Sequence, residues 1–179
     1  MAINQIKRYN ELLEILHFTQ GQRTASLRAI FDRDIADNPL FLFRGKLIRP
    51  IKKEGVEEVE SLFSHLTHMT EEEKDKRGKV IKTRSLFDYD RSKRLHWIWY
   101  HVREIKKTDI DIFSYVDRVR GKSVIRTYIY DIAEKYIVIL EPHRTQLDYY
   151  LISAYYLTEK LGGPKQIENK RSKKLPVVY

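Results

Sequence analysis

Apolar side chains recur at two spacings along this 179-residue chain, helical in its first half and strand-like in its second. From Asn4 to about Phe18, Ile6, Leu12, Leu13 and Leu16 fall near helical spacing and predict an amphipathic helix. A second helix carries Leu27, Ile30, Phe31 and Ile35 on one face, with Thr24 or Ser26 as its cap. It must stop before Asn38-Pro39, because a residue preceding proline is pushed out of α geometry. Leu40–Phe43, the turn Arg44-Gly45-Lys46 and Leu47–Ile51 predict a short hairpin, whose second strand Pro50 confines to an edge or an end. Val56 to His68 reads as a third helix, with Val56, Val59, Leu62, Phe63 and Leu66 inward and glutamates in the first turns, where the helix dipole favours them. Glu71 to Lys82 is almost wholly charged and reads as a solvated loop. A fourth helix runs from Arg91 to about Ile105, capped by Asp88 or Asp90, with Leu95, Ile98, Trp99, Val102 and Ile105 on one stripe.

After Lys106-Lys107 the period changes. IDIFSYV, a turn at Arg120-Gly121-Lys122, then Ile125–Ile132, Tyr136–Leu140 and Tyr149–Leu157 predict four antiparallel strands with short links, and a short basic helix closes the chain. Helices first and sheet later make an α+β arrangement.

Charge then narrows the partners. The formal net charge is +9, and +6 of it lies from Asp88 onward, with the strands. That excess favours a polyanion, nucleic acid before anionic membrane. The absence of cysteine removes disulfides, thiolate zinc sites and a cysteine nucleophile. No apolar run approaches the roughly 18 residues that cross a bilayer, and the first residues lack the apolar stretch of a signal peptide, so a cytosolic site of action is expected. The glycines form neither a phosphate-binding loop nor a dinucleotide turn, and there is no G-x-S-x-G elbow. His65 and His68 stand three apart, with no HExxH pattern and no third ligand at a telling spacing. Asp88 with Asp90, and Asp109 with Asp111, stand where elements begin and suit capping better than magnesium. No cofactor or metal is expected.

Two features resist a purely structural account. The fourth helix leaves Lys93, His96, Tyr100 and Arg103 opposite its apolar stripe, with His96 and Tyr100 stacked at i and i+4. That face is either solvated or a phosphate-facing edge carrying an imidazole able to move a proton near neutral pH. On the strand Ile125–Ile132, alternation separates Ile125, Thr127 and Ile129 from Arg126, Tyr128 and Tyr130. On the last strand it separates Tyr149, Leu151, Ser153 and Tyr155 from Tyr150, Ile152, Ala154 and Tyr156. The polar sets, turned to water, could bind phosphate oxygens and stack on bases.

RSKRLHWIWYHV (Arg91–Val102), VIRTYIYD (Val124–Asp131), KYIVILEP (Lys135–Pro142), YYLISAYYL (Tyr149–Leu157) and the lysine-rich end resemble small nucleases of the barnase–EndoU–colicin–RelE superfamily, in its phage- and mobile-element-associated or toxin-type branch. The resemblance spans about Ser85 to Leu175. It implies one or two helices on a curved four-stranded antiparallel sheet and a nuclease domain at residues 85–179; residues 1–84, read from their pattern as a mostly helical extension with a short hairpin, fall outside it. It implies metal-independent RNA cleavage, in which the ribose 2′-hydroxyl attacks the adjacent phosphorus and leaves a 2′,3′-cyclic phosphate. Carried over residue by residue, His96 becomes the general acid or base, and Arg126 stabilises the phosphorane. Ser153, where similar toxins have threonine, and Tyr155 orient the phosphate or relay a proton. Lys93, Arg94, Lys135, Lys170 and Arg171 become RNA-backbone contacts. The expected activity is an endoribonuclease, in toxin-type form partnered by an immunity or antitoxin protein. The alternatives are a non-catalytic RNA- or DNA-binding module on the same basic sheet and a structural interaction protein.

Overall fold

A computed structural model describes residues 2–51, 57–74, 80–158 and 163–179. It is a mixed α+β structure whose centre is one six-stranded sheet. Four of its strands follow one another in sequence and pair antiparallel: β5 (Ile110–Val119), β6 (Lys122–Asp131), β7 (Tyr136–Pro142) and β8 (Asp148–Tyr156). The sheet does not stop at four. The early hairpin of β1 (Leu42–Phe43) and β2 (Lys46–Arg49) joins it, with Ile48 beside Tyr149 and β2 parallel to β8. Arg44 and Gly45 form its turn at φ of 50° and 77°, the left-handed conformation that tight hairpins demand, and the strand ends at Pro50.

The helices differ in detail from their periodicity. Only α1 (Ala2–Gln5) is helical in the first predicted segment. Asn4 is fully buried, donates to the Glu14 carbonyl at 3.0 Å and accepts from the Glu14 amide at 2.8 Å. These bonds close a loop, after which Leu13 and Ile15 point inward while Leu12 and Leu16 are exposed, a period of two. The helix α2 (Gln20–Phe31) starts earlier than expected, because Thr19 and Gln22 form a capping box. It runs into a π turn, Asp32–Ala36, and is over before Pro39. The helix α3 (Glu58–Thr67) buries Leu62, Phe63 and Leu66 as read, while Val56 lies outside the described residues. The charged stretch after it is not a loop where it is described. Residues His68–Lys74 (β3) and Val80–Phe87 (β4) form a second, two-stranded sheet whose register sets Glu72 opposite Lys82. Residue 84, the expected domain boundary, falls inside β4.

The fourth predicted helix is broken. Asp88 caps a single turn, α4 (Tyr89–Ser92), and a second helix, α5, spans Trp97–Val102. Between them Arg94, Leu95 and Trp97 donate to carbonyls three residues back. Three-residue bonds advance each side chain further around the axis than α geometry does. Leu95, Ile98 and Val102 are still buried, but His96 and Trp97 are turned inward with them.

Both faces of the large sheet are covered. Ile129, Val138, Leu140, Leu151 and Tyr149 pack with residues of α2, α3 and α5 in one cluster. Phe113, Tyr128, Tyr130, Ile137 and Ile139 form a second cluster with Ile167 of α6 (Gly163–Arg171). The first cluster draws residues from both sides of residue 84. Beyond α6 the chain turns round the edge strand β5: the Leu175 amide donates to the Ser114 carbonyl at 2.8 Å, and the Tyr179 backbone binds the Ser114 and Thr127 hydroxyls. No helix among the described residues is long and apolar enough to cross a membrane.

Asp131 ties the layers together. Its buried carboxylate accepts from His101 Nε2 at 3.0 Å, from Lys106 Nζ at 2.9 Å, from the Glu134 amide at 3.1 Å and from the Tyr9 hydroxyl. Burial pushes the carboxyl up, but these hydrogen bonds outweigh it and hold it well below the usual carboxylate range. His101 Nδ1 lies 2.7 Å from the Trp97 carbonyl, so both ring nitrogens are held by neighbouring groups. Replacing Asp131 with alanine leaves the Lys106 ammonium without its anion and the Tyr9 and His101 groups without their partner. Urea unfolding of Asp131→Ala should show a loss of about 3–5 kcal/mol, and a loss below about 1 kcal/mol would rule this role out.

Candidate nucleic-acid interface

The strand register decides which polar side chains meet. Ser153 pairs with Ile139 and Tyr155 with Ile137, so both stand on the α6 side of the sheet. Arg126, paired with Tyr115, stands there too. A β-bulge between Ile139/Leu140 and Leu151/Ser153 makes this possible. It adds one residue to β8 and reverses its phase, so Tyr149 and Leu151 face the opposite cluster from Ser153 and Tyr155. The uniform alternation expected across Tyr149–Leu157 therefore does not hold, although the three expected residues Arg126, Ser153 and Tyr155 do share a face.

That face is not open to water as expected, because α6 lies over part of it. Lys170 Nζ donates to Asp117 at 2.6 Å and to the Tyr128 hydroxyl at 2.8 Å, while that hydroxyl donates to Asp117. Burial raises the Tyr128 phenol far above its ordinary value, and Asp117 adds to it. Arg171 pairs with Asp111 and Glu168. Arg126 lies 3.5 Å from Glu141 and 3.7 Å from Asp117. Lys170 and Arg171, expected as backbone contacts, thus pin α6 to β5.

A less neutralised set of cations lies beside this face. A cavity of about 770 Å³ opens between α3, β4 and β8, lined by Ser61, Ser64 and His65, by Glu60, whose carboxylate pairs with Arg28, by Arg84, and by Ile51, Leu151 and Ile152. Arg120, at the turn between β5 and β6, also lines it, so the far end of that hairpin reaches across to β8. Arg84 and Arg91 both donate through Nη1 to the same acceptor, the His65 carbonyl, at 3.2 and 2.6 Å. Burial lowers the pKa of both guanidiniums, and Arg91 lowers that of Arg84 further. The Arg91 guanidinium lies 5.5 Å from the centre of the Tyr155 ring. Burial raises the Tyr155 phenol, against the pull of Arg91 and of Arg126. Tyr155 is therefore a neutral donor within the field of two cations.

His96 is not part of this arrangement. It is fully buried on the other side of the sheet beside Trp97, with Nε2 donating to the Arg8 carbonyl at 3.2 Å and Nδ1 buried without a hydrogen bond. Its expected stacking on Tyr100 is absent; Tyr100 packs on Trp99 and Tyr9. Lys93 pairs with Asp90 at 3.1 Å, and Arg94 lies over the Tyr156 ring at 4.3 Å. Lys135 sits at the β6–β7 turn with φ of 50°. His68 is occupied with Thr67 and the Phe87 ring. Among the described residues no group of three histidine or acidic side chains is arranged to hold a metal. Arg84, Arg91 and Arg120 carry no motif and were not foreseen; the only signal was the basic character of their segments. Compared with known proteins, the chain matches no family model, no curated protein and no solved structure.

Burial pushes the His96 imidazole down to about 4, with the Arg8 carbonyl only partly opposing it. Unfolded, the ring takes up a proton near pH 6.5; folded, only near pH 4. Between these values the unfolded chain binds more protons, so stability falls as pH drops through that window. His96 alone should remove about 3 kcal/mol between pH 7 and 4. Denaturant titrations across this range should show the decline in the wild type and lack that increment in His96→Gln. Matching profiles would place His96 in contact with solvent.

Proposed function

We propose that the protein binds RNA through its phosphates in the cleft between α3, β4 and β8. The observation that carries this reading is the crowding of Arg84 and Arg91 onto one carbonyl at the cleft wall, with Arg120 across from them. A carbonyl satisfies their N–H groups without cancelling their charge. Burial makes each charge costly, Arg91 makes that of Arg84 costlier still, and Asp88 offsets part of the cost at Arg91. Phosphate oxygens reverse that cost, accepting several charge-assisted bonds at once. Tyr155, neutral and close to Arg91, can donate to the same phosphate or stack on a base. The net charge of +9 attracts a polyanion over long range, and the resemblance of Ser85–Leu175 to ribonucleases favours RNA among polyanions.

A second reading adds cleavage at the same place: a metal-independent endoribonuclease, in toxin form paired with an immunity or antitoxin protein. One observation favours it. Arg126, Ser153 and Tyr155 share a face beside a cleft that His65 lines, which offers an imidazole for proton transfer where His96 is buried. In that reaction the 2′-oxygen bonds to phosphorus, the 5′-oxygen leaves, one proton departs the 2′-hydroxyl and one reaches the 5′-oxygen.

Anisotropy titration of labelled RNA at several salt concentrations tests the first reading. Affinity should fall linearly on logarithmic axes, and Arg84→Ala and Arg120→Ala should each weaken binding and reduce the slope by about one. Binding indifferent to salt and to both substitutions would reject it. Incubation of RNA with the protein in EDTA, followed by assay for cyclic-phosphate ends, decides the second reading.

A further inference from the structure

We propose that this cleft holds one unstacked nucleotide, so that the protein grips a single strand or a looped-out base and excludes an intact duplex. The inference rests on the RNA-binding reading above and narrows the conformation of the RNA. Three properties of the cleft carry it: its size, the division of its lining and the elements that build it.

A cavity of about 770 Å³ falls within the range that encloses a ligand of small-molecule size. It can admit a nucleotide swung out of a strand, whereas the bases of a duplex stay stacked on one another. The lining is divided by chemistry. Ile152 of β8 and Ile51 after β2 present an apolar surface, which suits the face of a base. Ser61 and Ser64 stand at i and i+3 on α3 and put two hydroxyls along one stripe, at the position for a ribose. Arg84 and Arg120 supply charge for the phosphate. A stacked base has no free face to offer to Ile51 and Ile152. Only an unstacked one can bury its face there and recover the cost of leaving the stack. The cleft exists because β2 pairs with β8 only as far as Tyr150. Beyond it, the β8 edge at Leu151 and Ile152 is left for α3 to approach, and the cavity is the space between them.

Three labelled RNAs of one sequence test this with the full-length protein at fixed salt: a single strand, its blunt duplex, and that duplex with one unpaired nucleotide. The duplex should bind at least about tenfold more weakly than the strand, and the single unpaired nucleotide should restore most of the loss. Ser64→Trp, which fills the cleft from α3, should weaken single-strand binding by about tenfold and leave the residual duplex binding unchanged. A duplex that binds as tightly as the strand, or an unpaired nucleotide without effect, overturns the nucleotide pocket while RNA binding stands. Failure of all three RNAs to bind overturns the RNA reading itself.

Discussion

One extra residue in β8 determines which side chains of this protein can act together. The backbone has no freedom to choose: with the register of Ala154, Ser153 and Leu151 set against Val138, Ile139 and Leu140, one residue of β8 must go unpaired. Before the bulge, Tyr149 and Leu151 serve the core beneath the N-terminal helices; after it, Ser153 and Tyr155 serve the opposite face. Without it, Ser153 and Tyr155 would follow Leu151 into the helix-covered core, away from Arg126. The bulge also lies where β2 has ended, so the strand is irregular at the point where α3 approaches it. Bulges bend strands and re-aim side chains, and here both effects fall at the cleft.

The second constraint is that both faces of this sheet carry packed elements, so the polar groups beneath them must be satisfied inside the protein. Asp131 does this for the helix-covered side, gathering Tyr9, His101 and Lys106 from three separate segments onto one carboxylate. Asp117 does the same for the α6 side, with Tyr128 and Lys170. The two carboxylates stand near opposite ends of the β5–β6 hairpin, Asp131 paired with Ile110 and Asp117 with Val124. The N-terminal segment and α6 are thus anchored to the same pair of strands from opposite sides.

The α+β character and the four consecutive antiparallel strands were legible in the sequence where one spacing ran uninterrupted, whereas the six-stranded order and the number of helices were not. The antiparallel run β5–β8, the hairpin with its turn at Arg44-Gly45, the stop before Pro39 and the Asp88 cap each follow from a local rule, and each is present. Local rules failed where a distant partner decided. Leu12, Leu13 and Leu16 have helical spacing, but Asn4 reaches Glu14 and bends the segment into a loop. His96 has the spacing of an exposed helix face, yet the three-residue bonds at Arg94, Leu95 and Trp97 turn it inward, and the segment around Arg8 closes over it. Parallel pairing of β2 with β8 joins residues about a hundred positions apart, and no periodicity records such a partner. The candidate site was legible in part: Arg126, Ser153 and Tyr155 meet on one face, whereas the cleft arginines come together only through tertiary packing.

Net charge alone points to the basic end of the chain, where the fold has already matched the cations with carboxylates. The basic end of the chain is its most conspicuous electrostatic feature, yet Lys170 and Arg171 are each matched by a carboxylate of β5. A phosphate arriving there must displace an existing anion and gains little by the exchange. The guanidiniums of Arg84 and Arg91 are held differently, by carbonyl dipoles, which occupy N–H groups while leaving the charge in place. Asp88 lies 3.5 Å from Arg91 and offsets part of that charge, but burial still prevails over it. Folding therefore leaves residual positive potential at a cleft wall, where low dielectric strengthens it and neighbouring solvent is displaced by any ligand that enters. Cations already paired with carboxylates build the fold, whereas Arg84, held by the His65 and His68 carbonyls, lines the space that α3 leaves beside β8.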